Sequence, residues 1–200
     1  MWDAIRKAAI NVLALPVSWV GKMFYTKEAR IDNISIWPVN FEPGTTTMRR
    51  GFDKHAERLA TFLRQTPAIA FEMKSVMTVE DVDALKREAL RKQLDALARD
   101  AGSADAAAAR LFAERFPNRT APTDPAAVMA ELVKAQPAPD DALQALAKAR
   151  IALVRQELES KGDVDPKRLR VSEGAVPVEA SGAGRVEFDM IPNAAPTQSS

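Results

Sequence analysis

The order of hydrophobic and polar positions along the chain predicts strands that alternate with helices. Apolar residues recur at every second position in three segments, which are predicted to be strands with one buried face: residues 34–41, 68–77 and 184–191. They recur every three or four positions in three longer segments, which are predicted to be amphipathic helices: residues 45–65, 78–102 and 140–162. A short fourth strand is expected at residues 168–171, after Asp165-Pro166. This order implies an α/β (α+β) two-layer sandwich, in which helices cover one face of a mixed four-stranded sheet.

Proline and threonine residues mark the limits of the first strand and the first helix. Pro38 lies where the alternation in residues 34–41 changes phase, so a bulge or a break is expected there. The threonines at residues 45–47 are candidate caps for the first helix, and Pro67 ends it. The buried stripe of this helix is expected to contain Met48, Phe52, Ala56, Leu59 and Leu63.

The two later helices have signals for their N-termini. Thr78 and Asp81 have the spacing of a capping box, in which each side chain accepts a hydrogen bond from the other residue's backbone N–H. Asp140 or Asp141 is expected to cap the last helix, which ends at Gly162. Asp140 and Asp141 are interpreted as a cap at the favourable end of the helix dipole and not as an acid–base pair.

Residues 103–139 are rich in alanine and proline and are interpreted as a helical insertion between these two helices. Two short helices are predicted in it, at residues 104–116 and 125–135, the second with Asp124 as its cap and Pro125 at its first position. Because their faces are rich in alanine, the insertion is expected to be peripheral.

The ends of the chain differ in composition from the middle. Residues 31–191 are taken as the domain, and the polar tail at residues 192–200 is expected to be disordered. Residues 1–30 have a basic start and an interrupted apolar run, which is too short to span a membrane. This segment is interpreted as an amphipathic helix or connector, as an interfacial membrane helix, or as a signal segment. Its candidate interface residues are Trp2, Trp19, Met23 and Phe24.

Composition narrows the range of functions. The formal net charge is +1 and aromatic residues make up 6% of the chain, so neither a basic footprint nor a stacking surface for nucleic acid is indicated. Cysteine is absent and His55 is the one histidine, so no metal site, cofactor site or nucleophile with its base is predicted. Trp37 is interpreted either as an exposed aromatic that meets a partner or as a residue packed under the N-terminal helix.

Arg150 is the most informative single residue. It lies on one helical stripe with Leu146, Val154 and Leu158, because residues four apart stack on one face. A cation within an apolar stripe needs a partner. One interpretation is a structural ion pair with a nearby carboxylate such as Asp81, and the other is a ligand-binding residue.

Five phrases in this order resemble the OmpA-like domain, and more closely the C-terminal domain of large AsmA-like bacterial envelope proteins. The phrases are VNFEPG (residues 39–44), FEMKS (71–75), LAKARIALV (146–154), DPKRL (165–169) and GRVEF (184–188). The resemblance covers residues 34–191, apart from the insertion. It implies the order β-α-β-α-β-β and a mixed four-stranded sheet. Residues before position 34 resemble the connector to a much larger body, so the resemblance implies a longer parent protein.

The resemblance also implies candidate ligand-binding residues. In OmpA-like domains that hold peptidoglycan, an Asp after the second strand and an Arg in the later helix grip the diaminopimelate of the peptide stem. Arg150 matches that Arg, whereas Thr78 stands at about the position of the Asp. Asp81 or Asp83 would replace the Asp only with a displaced helix start. Arg185 matches the first strand residue of the closing phrase, and a solvated sheet face is its alternative role.

The function implied by the resemblance is that of a non-enzymatic module in the periplasm of a Gram-negative bacterium. It would dock an AsmA-like protein, associated with outer-membrane integrity or lipid transport, to an envelope protein or to the rest of a larger parent chain. Two alternatives remain open at this point: a peptidoglycan-binding module, and a module that binds the membrane surface through residues 1–25. No nucleic-acid partner is expected.

Overall fold

Strands alternate with helices in the described part of the chain, which in this computed structural model comprises residues 36–137 and 139–193. The strands are β1 (Val39–Asn40), β2 (Ile69–Thr78), β3 (Leu169–Val171), β4 (Val178–Glu179) and β5 (Arg185–Pro192). The helices are α1 (Phe52–Gln65), α2 (Val79–Ala101), α3 (Ala104–Arg115), α4 (Pro125–Lys134) and α5 (Asp140–Gly162). A 3-10 turn, Pro166–Arg168, precedes β3. The predicted α+β class is confirmed.

The sheet is mixed and has β2 near its centre. Its order is β1-β5-β2-β3, with β4 paired to β2 in addition. β5 runs antiparallel to both β1 and β2, and β3 and β4 run parallel to β2. The expectation of four strands was therefore wrong by one, because β4 contributes only the pairs Met77↔Val178 and Thr78↔Glu179 and is too short to show a period.

One face of the sheet packs against α1 and α5. Phe71 of β2 is fully buried, stacks on Phe62 of α1 with ring centroids 6.1 Å apart, and contacts Phe188 of β5 at 5.6 Å. Met77 of β2 joins the same layer through the buried Leu143, Leu146 and Ala147 of α5. On the alternate positions of β2 Lys74 is exposed, as the period of two predicted, but Ala70 and Val76 are buried, so the second face is open only in part.

The first helix begins seven residues later than the threonines at 45–47 suggested. Phe41 forms an antiparallel bridge with Met48, so the chain turns back on itself before the helix starts. Gly51 then supplies the N-cap with φ 104°, a conformation that suits glycine. Met48 therefore lies outside α1. The residues of the predicted stripe that do lie in α1 are buried: Phe52, Ala56, Leu59 and Leu63.

The capping box at α2 and the helices of the insertion are confirmed. Thr78 and Asp81 make both reciprocal hydrogen bonds of the box, and Asp124 caps α4 with Pro125 in its first turn. α2, α3 and α4 share an apolar core of their own, built from Leu90, Leu94, Ala107, Ala108, Leu111, Phe112, Val128 and Leu132. The alanine-rich faces thus pack closely rather than standing free.

The expected cap of α5 was wrong. Pro139 is its N-cap, and Asp140 and Asp141 lie within the first turn, where no side chain caps the helix. Pro192, which was assigned to the disordered tail, ends β5. None of the described helices is long and apolar enough to cross a membrane. The predicted N-terminal helix and residues 194–200 lie outside the described residues.

Candidate functional site

The helical stripe of α5 carries Arg150 to the N-terminus of α2, where it meets Asp81. Arg150 and Asp81 are both fully buried, with 0% of either side chain exposed. The guanidinium donates from Nη2 to Asp81 Oδ1 at 2.7 Å and from Nη1 to Asp81 Oδ2 at 3.2 Å. This two-point geometry is the strongest form of an arginine–carboxylate pair.

The remaining donors of Arg150 bind the turn after β1 and the end of β2. Nε donates to the backbone oxygen of Thr45 at 2.8 Å, and Nη2 donates to that of Glu42 at 3.0 Å. Nη1 also contacts Met77 Sδ at 3.3 Å, and the guanidinium carbon lies 4.9 Å from the centroid of the Phe41 ring. The five N–H donors of an arginine are thus all directed at groups of the chain itself.

Both carboxylate oxygens of Asp81 also accept hydrogen bonds from other groups of the chain. Its Oδ1 accepts from the backbone N–H of Gly44 at 2.8 Å. Its Oδ2 accepts from the backbone N–H of Thr78 at 3.0 Å and from Thr78 Oγ1 at 3.2 Å. Burial raises the pKa of Asp81, but the hydrogen bonds from Arg150 and Gly44 outweigh it and bring the pKa below its ordinary value of 3.8. Asp81 is therefore an anion at neutral pH.

Two glycines allow the chain to close around this pair. Gly44 has φ +67° and presents its N–H to Asp81 while lying against Ala84 of α2. Gly184, just before β5, lies directly on the pair, so that a Cβ at this position would collide with Asp81 Oδ2 and Arg150 Nη1. Because backbone covers the charges on this side, the Arg150–Asp81 pair is closed to solvent.

The pair predicts a loss of stability in acid. The pKa of Asp81 is lower in the folded state, so its contribution is complete above about pH 4 and is lost as the pH falls through the folded pKa. Urea unfolding between pH 6 and pH 3 measures this loss. Asp81→Asn is expected to make the free energy of unfolding depend less on pH in this range. If the free energy of this variant changed with pH as steeply as that of the parent protein, the assignment would be contradicted.

The arrangement can hold elements together, but it offers no vacant chemistry. The pair has no free donor and no exposed oxygen, and a ligand would have to displace Gly184 or the 42–45 turn to reach it. Across the described residues, no group of three or more acidic or histidine side chains is placed to bind a metal ion.

The other predicted site residues do not form one site with Arg150. Thr78 belongs to the site, but as the cap that fixes Asp81. Arg185 donates from Nη1 and Nη2 to Glu179 at 2.8 and 2.9 Å and from Nε to Glu187 at 2.7 Å, and the hydrogen bond with Glu179 raises its pKa. Its side chain thus serves a surface ion-pair network. Trp37 is 64% exposed. The predicted interface residues Trp2, Trp19, Met23 and Phe24 lie outside the described residues.

His55 is half-buried on α1 and forms a hydrogen bond with the segment just before β1. Its Nε2 lies 2.8 Å from the backbone oxygen of Trp37. Burial lowers the pKa of His55 below 6.5, the hydrogen bond to Trp37 raises it, and the charge of Arg58 lowers it again, with a net decrease. A proton NMR titration is expected to give a single imidazole pKa below 6.5. The contribution of His55 to stability is then complete above pH 6.5 and is lost as the pH falls below 6.5 through the folded pKa. A measured imidazole pKa above 6.5 would contradict this geometry.

Several residues of the site were missed by sequence reasoning. Phe41 places its ring against the guanidinium, Gly44 donates its N–H to Asp81, and Gly184 leaves the space that a side chain would fill. The backbone oxygens of Glu42 and Thr45 accept the remaining hydrogen bonds from Arg150. The Pro43-Gly44 turn was recognised, but only as a turn. A backbone oxygen carries no residue-type signal, so the sequence could not indicate it.

Comparison of the chain with models of known families, with curated proteins and with solved structures finds no match.

Proposed function

We propose that this chain is a non-enzymatic docking domain of the OmpA-like class. It works in the periplasm of a Gram-negative bacterium as part of an AsmA-like protein associated with outer-membrane integrity or lipid transport. The observation that carries the docking role is the closed Arg150–Asp81 pair. Because both charges of this pair are buried and bonded within the chain, we assign contact with a partner to other parts of the surface.

The order of the strands in the sheet supports the OmpA-like class. When α3, α4 and the two-residue β4 are set aside, the described chain reads β-α-β-α-α-β-β, which has one helix more than the order β-α-β-α-β-β that the resemblance implies. The sheet order places the last strand between the first and the second, with the strand after the long last helix outside. The arginine of this helix meets Asp81 in the first turn of α2, three residues after Thr78, the position at which the resemblance puts the acid.

The peptidoglycan alternative has one observation in its favour. Asp81 reaches Arg150 from the first turn of α2, so the carboxylate that Thr78 does not supply comes from three residues further on. Both residues are nevertheless fully buried, and their donors and acceptors are occupied. Diaminopimelate needs accessible partners for its carboxylates and its amine, so we assign the pair a structural role.

Co-sedimentation with purified peptidoglycan sacculi tests whether the Arg150–Asp81 pair is closed to peptidoglycan. The whole chain is expected to stay in the supernatant, as it does in a tube without sacculi. Sedimentation that is abolished by Arg150→Lys, with the variant shown to be folded by circular dichroism, would overturn the docking role in favour of peptidoglycan binding.

Site-specific photo-crosslinking in the source bacterium tests docking itself. A photoreactive phenylalanine at the exposed Trp37 is expected to crosslink an envelope protein or the rest of the parent chain. The same residue at Lys148, an exposed position on α5, is the matched control. Crosslinking to cytoplasmic proteins, or equal products at both positions, would contradict the proposal.

A further inference from the structure

A second feature is an open groove between α2 and α4, whose lining on α2 begins at Asp83, two residues after Asp81. Its volume is about 610 Å³. One wall is apolar and comes from α4, with Ala126, Met129, Ala130 and Val133 facing the groove. These residues follow the spacing i, i+3, i+4, i+7, which places them on one helical stripe. Ala126 and Ala130 are exposed, so this wall lies open to solvent.

The opposite wall and the end of the groove are charged. Asp83, Arg87 and Arg91 line it from α2, and Lys134 closes it at the end of α4. Arg91 is engaged, since it pairs with Glu88 at 2.9 Å and with Asp95 at 3.5 Å. Arg87 and Lys134 have no hydrogen bond or ion pair within the part of the chain that the structure describes. The groove therefore combines an apolar stripe with two cations that make no ion pair among the described residues, Arg87 and Lys134, and with one carboxylate, Asp83.

The walls are held in place by interactions on the other side of the insertion. Arg115 of α3 donates to Gln93 of α2 at 2.9 Å, and it contacts the backbone oxygen of Leu132 in α4 at 3.5 Å. Arg119 bonds Glu131 of α4 at 3.0 Å and lies over the Phe116 ring at 4.9 Å. A preformed surface loses little conformational entropy on binding, which favours recognition.

We infer that this groove docks an amphipathic helix of a partner protein, one that carries acidic residues beside its apolar stripe. The α4 stripe has the spacing that helices use to pack on each other, and the small side chains of Ala126 and Ala130 let a second backbone come close. Arg87 and Lys134 then pair with the acidic flank. An acyl chain fits less well, because small-molecule sites enclose most of their ligand.

The N-terminal segment of the chain does not have the required charge. Lys and Arg outnumber Asp and Glu in residues 1–35, so its sign is that of the groove. The inference rests on the proposed docking function and names the surface and the partner chemistry for it. The groove does not include the Arg150–Asp81 pair, because both side chains of that pair are fully buried.

Fluorescence anisotropy with two synthetic peptides tests the inference. Each probe has about 18 residues, or five helical turns, with leucines on one stripe and with either Glu or Lys flanking it. The whole chain is expected to bind the Glu peptide at least about tenfold more tightly than the Lys peptide. The double variant Arg87→Glu/Lys134→Glu is expected to bind the Glu peptide about tenfold more weakly than the parent chain does. Arg110→Glu/Lys148→Glu, which makes the same change of net charge at exposed positions outside the groove, is expected to bind as the parent chain does.

Three results would overturn the inference: equal affinity for both peptides, equal affinity of both charge-reversed variants, or no binding at millimolar peptide. Binding of decanoate in the groove without binding of the Glu peptide would overturn it too, in favour of an amphiphile. If the Glu peptide does not bind while a photoreactive residue at Trp37 still crosslinks an envelope protein, the groove assignment is wrong but the proposed docking function is retained.

Discussion

Arg150→Met is expected to lower the free energy of unfolding by about 3–5 kcal/mol, because it leaves the Asp81 carboxylate buried without its cation. Methionine keeps much of the side-chain volume within the Leu146–Val154 stripe, so the loss comes mainly from charge and hydrogen bonds. The backbone oxygens of Glu42 and Thr45 also lose their donors. Urea unfolding at pH 7 measures the change, and the slope of the transition reports whether unfolding stays two-state.

Arg155→Met is the matched control on the same helix. Arg155 pairs with Glu159 at 2.7 Å, but its side chain is 39% exposed, so its loss is expected to cost less than about 1 kcal/mol. Combining Arg150→Met with Asp81→Asn is expected to cost less than the sum of the two single changes, since no unpaired charge remains. Equal effects at positions 150 and 155 would show that the buried pair does not stabilise the domain.

Gly184→Ala is the second large effect, with an expected cost of about 2–3 kcal/mol. The new methyl group would occupy space already filled by Asp81 Oδ2 and Arg150 Nη1. The chain must then move at the start of β5 or loosen the ion pair, and both responses weaken the packing of the 42–45 turn. Thermal and urea unfolding of the variant measure the loss.

Gly102→Ala separates collision from backbone strain. Gly102 has φ +79° with open space where a Cβ would lie, so alanine there is expected to cost about 1 kcal/mol through conformation alone. Gly184 is not among the glycines with a positive φ, and its cost arises from contact. A Gly184→Ala protein that is as stable as the parent would mean that the pair is not covered by backbone at this point.

The parts of the fold that repeat along the sequence were predictable. The period of two in β5 and the apolar stripes of α1 and α5 predicted which faces are buried, because burial follows side-chain direction, whereas β2 is buried on parts of both faces. The capping box at Thr78 and Asp81 was predicted from two residue types at one spacing. The same stripe logic marked Arg150 as a residue in need of a partner, and Asp81 was among the carboxylates considered.

The rest depended on contacts between distant segments. The bridge between Phe41 and Met48 delays α1 until Gly51, whereas the local signal at residues 45–47 favoured an earlier start. β4 has two residues, which is too few for a periodic pattern. The closure of the site relies on backbone atoms of Glu42, Thr45 and Gly184, and backbone atoms are the same in every residue type.

Hydrogen exchange of the Arg150 guanidinium protons, followed by ¹⁵N NMR of the whole chain near neutral pH, tests the closed pair most directly. The predicted result is a set of separate, slowly exchanging Nη–H signals for Arg150, assigned by their loss in Arg150→Met. Arg91, whose side chain is 63% exposed, is expected to show one averaged, fast-exchanging signal in the same spectrum. Signals of Arg150 that exchange as fast as those of Arg91 would contradict the closed pair and reopen the site to a ligand.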